Sequence, residues 1–217
     1  MKRNRILALL AAAAVLAGCE TAYYSAMETV GFAKRDILAS RVESARDSQA
    51  EAKQEITDAL AEFGKVVSYD GGELEARYER LASQLEDSER AAERVRSRIA
   101  DVDGVGEALF REWERELDQY SDAKLRAKSA EQLRATRSRY DDMLRAMRRA
   151  EAKLEPALAP MRDQVLFLKH NLNARAVAGL KAELAQVDAQ VNQLVRELDR
   201  AIAEADRFIA DLGTNAG

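Results

Sequence analysis

Cysteine, histidine and proline are nearly absent from this 217-residue chain, which holds one, one and two of them. A lone thiol excludes an intramolecular disulfide. With one imidazole and a cysteine assigned elsewhere, only carboxylates remain as further ligands, so neither a metal centre nor any other cofactor is expected. Aromatic residues make up 6% of the chain and glycines number ten, a balance that argues against a sheet sandwich. No apolar run reaches the roughly 20 residues that a membrane-spanning helix needs. What is abundant is charge, at 33% of residues, with Ala, Glu, Arg and Leu dominating, as in long helices. The formal charge is −4, so there is no basic excess with which to neutralise phosphates, and nucleic acid is not an expected partner. The length suits one domain, or one elongated bundle with a continuous apolar seam.

The amino terminus carries its own signal. Lys2, Arg3 and Arg5 precede an apolar run from Ile6 to Ala17 that is too short to span a bilayer. The run ends in Leu16-Ala17-Gly18-Cys19, which resembles the lipobox of bacterial lipoproteins: small residues let the peptidase approach, and the Cys19 thiol accepts diacylglycerol. The resemblance implies a signal peptide over 1–18 and an acylated, palmitate-bearing Cys19 as the first mature residue. Residues 19–36 then form the lipidated N-terminus and juxtamembrane segment. Two acyl chains suffice for stable anchoring, and the thiol is consumed as a thioether. By the same resemblance, Glu20 in place of Asp points to the outer membrane, facing the periplasm. The competing readings are an ordinary secretory peptide and an apolar helix with an incidental cysteine. Tyr23, Tyr24 and Phe32 either lie at the membrane interface or begin the packing of the first helix.

Beyond residue 36 the spacing predicts an all-α fold: an elongated, antiparallel, coiled-coil-like bundle of three to four long helices over 37–212, with a disordered tail at 213–217. Leu38, Val42, Ala45, Ala52, Ile56, Ala59, Phe63 and Val66 alternate steps of four and three, with Gln49 as the polar exception. Ser68 to Gly72 predicts a hairpin turn, because paired glycines favour conformations that a helix rejects. Leu74, Tyr78, Leu81, Leu85, Ser88, Ala92, Val95, Ile99 and Val102 repeat the spacing, and Asp101 to Gly106 is expected to close that helix. A third helix is expected from about Glu107 to Leu154. Pro156 and Pro160 are expected to mark the next reversal. The last helix is expected to run unbroken from Met161 to Leu212, with stutters at Leu172 to Leu180 and Leu194 to Ile202.

Two stretches resemble the DUF2959 family. One is Tyr23-Tyr24 with Glu28, Gly31, Lys34-Arg35-Asp36-Ile37-Leu38, Arg41-Val42 and Gln49. The other is Asp163-Gln164-Val165-Leu166-Phe167-Leu168-Lys169-His170-Asn171-Leu172-Asn173-Ala174. The second is the more specific. The resemblance runs from about Tyr23 to Ile209 and implies a small proteobacterial envelope protein of helical, coiled-coil character. It implies no activity, ligand or catalytic residue.

Within the second stretch, Phe167, His170, Asn171 and Asn173 are the candidate site. Positions 167, 170, 171 and 174 share a helix face, so His170 and Asn171 are expected beside the Leu168 and Leu172 seam, hydrogen-bonding across the bundle to set register. The functional alternative is a small polar pocket or docking surface. No serine or cysteine nucleophile with an orienting acid can be set beside His170, so catalysis ranks last and no enzyme is expected. Asp70-Gly71-Gly72-Glu73 and Gly104-Val105-Gly106 lack the flanking strand of a phosphate loop and read as turns. From Lys124 to Arg149, nine basic residues face three acids. Arg134, Arg137, Arg145 and Arg148 in that stretch are candidates for a stripe that meets anionic envelope polymers or lipid headgroups. The plainer reading is a solvated face offset by acids such as Glu183, Asp188, Glu197 and Asp199.

These features favour a lipid-anchored structural or interaction module of the envelope, whose partners are the membrane and an envelope protein or anionic polymer. The alternative is a bundle that binds a small or lipidic ligand near His170. Heptad seams serve intrachain and interchain packing alike, which leaves a homo-oligomer open.

Overall fold

The computed structural model of the chain describes the backbone of residues 2–69 and 71–214, and the side chains of 34–69, 71–173 and 175–213. The expected signal peptide over 1–18, Cys19, Tyr23, Tyr24 and Phe32 lie outside the described side chains; of the expected disordered tail, 213–214 belong to the last helix and 215–217 lie outside the described residues. The fold is all-α: α1 (Lys2–Val67), α2 (Leu74–Glu116), α3 (Ala123–Glu151), α4 (Leu154–His170) and α5 (Ala174–Thr214), with a short 3-10 turn at Leu117–Gln119.

Cross-helix contacts give the topology. Arg94 meets Glu51 at 2.8 Å and Arg41 meets Asp101 at 3.9 Å, so α2 runs back along α1. Arg148 on α3 pairs with Asp103 at 2.6 Å, Arg96 reaches Glu155 on α4 at 3.7 Å, and Arg162 pairs with Glu89 at 2.6 Å. Partners thus descend α2 as α3 and α4 are climbed, and the two run antiparallel to α2 in a single direction. Lys53 pairs with Asp199 at 2.5 Å and Arg46 with Asp206 at 3.1 Å, which returns α5 along α1. The result is an up-down-up-down bundle in which α5 packs between α1 and the α3–α4 rod.

The apolar seam explains the packing. All eight apolar seam positions of α1, from Leu38 to Val66, are fully buried. On α2, Leu81, Leu85, Ser88, Ala92, Val95, Ile99 and Val102 are buried, and on α5 Leu180, Val187, Val191, Leu194, Leu198, Ala205 and Leu212. The first turn falls where expected, with Gly71 and Gly72 at φ +124° and +103°.

Three expected boundaries differ. α2 does not close at Asp101 to Gly106 but continues to Glu116, because Gly106 serves close packing rather than a turn. Asp122 starts α3 instead, its carboxylate accepting from the amides of Lys124 and Leu125 at 2.7 and 3.2 Å. The prolines do not reverse the chain. Pro156 falls in the first turn of α4, where no donor is required, and it withholds only the amide that would bond the Ala152 carbonyl. The helix therefore breaks at Ala152 and Lys153 and resumes in the same direction, with Leu154, Ala157, Leu158 and Met161 buried. The reversal comes at Asn171 to Asn173, splitting what reads in sequence as one helix from Met161 to Leu212. The Asn173 side chain accepts from the Ala176 amide at 3.0 Å, capping α5.

Candidate functional sites

The bundle has two unlike ends. At one, α1 meets the far part of α2 and the end of α5: Lys34 pairs with Glu112, and the Arg35 guanidinium donates to the Leu212 carbonyl at 2.6 Å. The α2–α3 connection lies at this end. The turn between α1 and α2 and the turn between α4 and α5 lie at the other.

The residues nominated around His170 occupy that second end. Phe167, His170, Asn171 and Asn173 are all exposed. The Asn171 side-chain amide donates to the Phe167 carbonyl at 3.0 Å, and its backbone amide donates to the Leu168 carbonyl at 3.1 Å. The Asn171 and Asn173 side chains stop one helix and start the next, and none of the four crosses the core to set register. Lys169 and His170 stand in the last turn of α4, where a cation complements the helix dipole. Leu166 and Phe167 leave an apolar patch beside them, 59% and 48% exposed.

Among the described residues, the polar side chains that are fully buried in the core are Gln49 and Ser88. Ser88 donates from its hydroxyl to the Glu55 or the Gln84 carbonyl, at 2.9 and 2.8 Å. Gln49 is fully buried on α1, and both of its amide atoms lack a hydrogen-bond partner among the described residues. Both had shown in the sequence as the polar slots of otherwise apolar seams.

The arginines of the nominated stripe do not act as one surface. Arg137 pairs with Glu114 and lies 5.5 Å from the centre of the Phe110 ring, Arg145 pairs with Asp142, and Arg148 pairs with Asp103. Arg139 meets Asp211 at 3.3 Å and Arg126 meets Asp118 at 2.8 Å. Of the four nominated arginines, Arg134 alone has no ion-pair partner among the described residues. The acids that offset the stripe come from its own and adjacent helices, and they are not Glu183, Asp188, Glu197 or Asp199.

Stronger electrostatic coupling lies elsewhere. Arg162 holds Glu89 and Glu155 together at 2.6 and 2.8 Å, which lowers the Glu155 carboxyl and raises the guanidinium. Glu116 goes the other way: burial raises its carboxyl, and neighbouring Glu112 adds to the shift. An open groove of about 510 Å³ is lined by Ala61, Gly64, Lys65, Ser68, Arg77 and Arg80 near the end of α1. Its cations are engaged, since Arg77 donates to the Lys65 carbonyl at 2.9 Å and Lys65 pairs with Glu62 at 2.6 Å. Among the described residues, no three His, Cys, Asp or Glu side chains are placed to hold a metal ion.

The family described as "Protein of unknown function (DUF2959)" matches residues 23–212. The chain belongs to the DUF2959 family. No curated protein and no solved structure matches it. In this DUF2959 chain the two stretches that carried the resemblance stand far apart. Lys34 to Leu38 lies at one end of the described bundle, and Asp163 to Ala174 leads into the opposite reversal, so the two stretches stand at opposite ends of it.

Proposed function

We propose that this DUF2959 protein is a lipid-anchored scaffold of the cell envelope, held to the periplasmic face of the outer membrane through Cys19 and acting by contact rather than catalysis. The observation that carries the reading is the polarity of the bundle relative to its amino terminus. The leader and lipobox-like segment precede Lys34, which joins the bundle at one end, and about 50 Å of α1 separates Lys34 from the Val67 end at helical rise. A rod tethered at one end holds its far turns away from the bilayer, which is what a spacer or docking module requires. A core lined from Leu38 to Leu212 with buried apolar side chains supports a rigid element.

Full-length protein should incorporate labelled palmitate and sediment with outer membranes, and Cys19→Ser should do neither. Gently extracted intact protein should then sediment as part of an assembly larger than the free bundle. A free, monodisperse bundle rejects the scaffold role while leaving the anchor standing. Retention of membrane association by Cys19→Ser rejects the anchor.

A further inference from the structure

At the amino-terminal end of the bundle, the hairpin between α2 and α3 extends past Lys34, the first residue of α1 whose side chain is described. Among the described residues, the outermost contacts that tie the four helices together there are Lys34 with Glu112, Arg35 with Leu212 and Arg139 with Asp211. From Arg139 back to Ala123, α3 extends about 24 Å beyond that level. Its support is the end of α2, through the Trp113 indole donating to the Ser129 hydroxyl at 2.9 Å and Arg126 pairing with Asp118.

The tip of this hairpin is apolar and basic together. Leu125 is 55% exposed and Tyr120 42%, two of the few large apolar side chains left open to solvent. Lys124 and Lys128 flank them one turn apart on α3, and neither has an ion-pair partner among the described residues. The nearest acids in sequence are engaged: Asp118 with Arg126, and Asp122 with the amides of Lys124 and Leu125. Glu131 lies one turn from Lys128 on α3 and forms no ion pair with it among the described residues. Lysines beside a tyrosine and a leucine suit a headgroup layer, where apolar groups enter the interface and the ammonium groups stay with phosphate.

We propose that this tip, Tyr120 and Leu125 with Lys124 and Lys128, rests on the anionic headgroup surface of the membrane that holds the chain, giving the bundle a second point of contact with lipid. The inference rests on the lipid-anchor reading. The fifteen residues from Cys19 to Lys34 reach about 22 Å if helical and about 50 Å if extended, which brackets the projection of the tip. A tether and a foot at the same end fix the tilt of the rod, where a tether alone leaves it free to swing.

The test uses full-length acylated protein in vesicles of phosphatidylethanolamine and phosphatidylglycerol, with a fluorophore attached at Leu125→Cys or, as the far-end control, at Phe167→Cys. Spin-labelled lipid should quench the label at position 125 several-fold more than the label at 167. Lys124→Glu with Lys128→Glu should reduce that quenching to the level of the control while the protein still floats with the vesicles, and vesicles of phosphatidylcholine alone should reduce it too. Equal quenching at the two positions in floating protein overturns the foot and leaves the anchor intact. Protein that fails to float overturns the anchor and the foot with it. A label at 125 already shielded from aqueous iodide without vesicles shows that the chain itself or a second copy covers the tip, and overturns the proposal as well.

Discussion

Tyr140 of α3 packs directly over Gly106 of α2: a methyl group built on Gly106 would lie 2.3 Å from the ring's Cζ. The Tyr140 hydroxyl donates to the Val102 carbonyl at 3.2 Å, and the ring meets Phe110 edge-on at 5.2 Å and Phe208 of α5 at 6.0 Å. One missing side chain on α2 therefore admits the ring that joins α2, α3 and α5. Burial pushes the Tyr140 hydroxyl well above the usual phenol range, so it stays a proton donor at any physiological pH.

This contact gives opposite expectations for two glycines on the same helix. Gly106→Ala should destabilise the bundle by about 1–3 kcal/mol, despite alanine's better helix propensity, because the ring must move. Gly104→Ala meets nothing within 4 Å and should stabilise by up to about 1 kcal/mol. Thermal unfolding of the two variants checks both signs, and equal shifts would reject the close approach.

Gln49 is the second test of the core. Its amide is fully buried with neither atom paired among the described residues, so Gln49→Met, which keeps the shape and removes the polar atoms, should stabilise by about 1–3 kcal/mol. Denaturant melts measure the difference. A loss of stability would mean that the amide makes bonds, through water, that the apolar side chain cannot replace.

Glu116 supplies the pH dependence. Its carboxyl is raised by burial and by Glu112, so the folded state binds the proton more readily than the unfolded chain. The linkage sign is therefore negative: stability falls as pH rises through the carboxylate range towards neutrality. Glu116→Gln should raise the melting temperature at neutral pH, and the advantage should shrink as the pH is lowered below that range. A constant advantage at all pH values would assign the effect to something other than ionisation.

The fold was legible wherever one helix face had to meet a continuous core. The seams from Leu38 to Val66 and from Leu81 to Val102 were readable because each apolar side chain repeats at the helical period and is buried. The connections were less so, because the same residue types serve two ends. Gly106 looked like a turn residue and is a packing site; Pro156 looked like a stop and sits in a first turn that needs no donor. The Asn173 cap was hidden by an apolar stripe that continues from Leu168 through Leu172 to Leu180, and its signal was the pair of asparagines flanking Leu172. The residues Phe167, His170, Asn171 and Asn173 lie exposed at the reversal between α4 and α5. The register-setting reading of His170 and Asn171 fails there, since a shared helix face holds only while the helix continues. The charge of the Lys124 to Arg149 stretch was countable in sequence, but its cancellation by Glu114, Asp103 and Asp211 depends on which helices are neighbours.

The meeting of Arg35 with Leu212 brings the amino-terminal and carboxy-terminal ends of the bundle to the same end, and that sets how it answers a pull. Tension between Lys34 and the turn at Asn171 to Asn173 runs parallel to the helix axes, so the α1 seam is loaded in shear along its whole length. Tension between Lys34 and Leu212 acts across the axes and peels α1 from α5 one turn at a time. The same contacts thus resist strongly in one direction and unzip in the other.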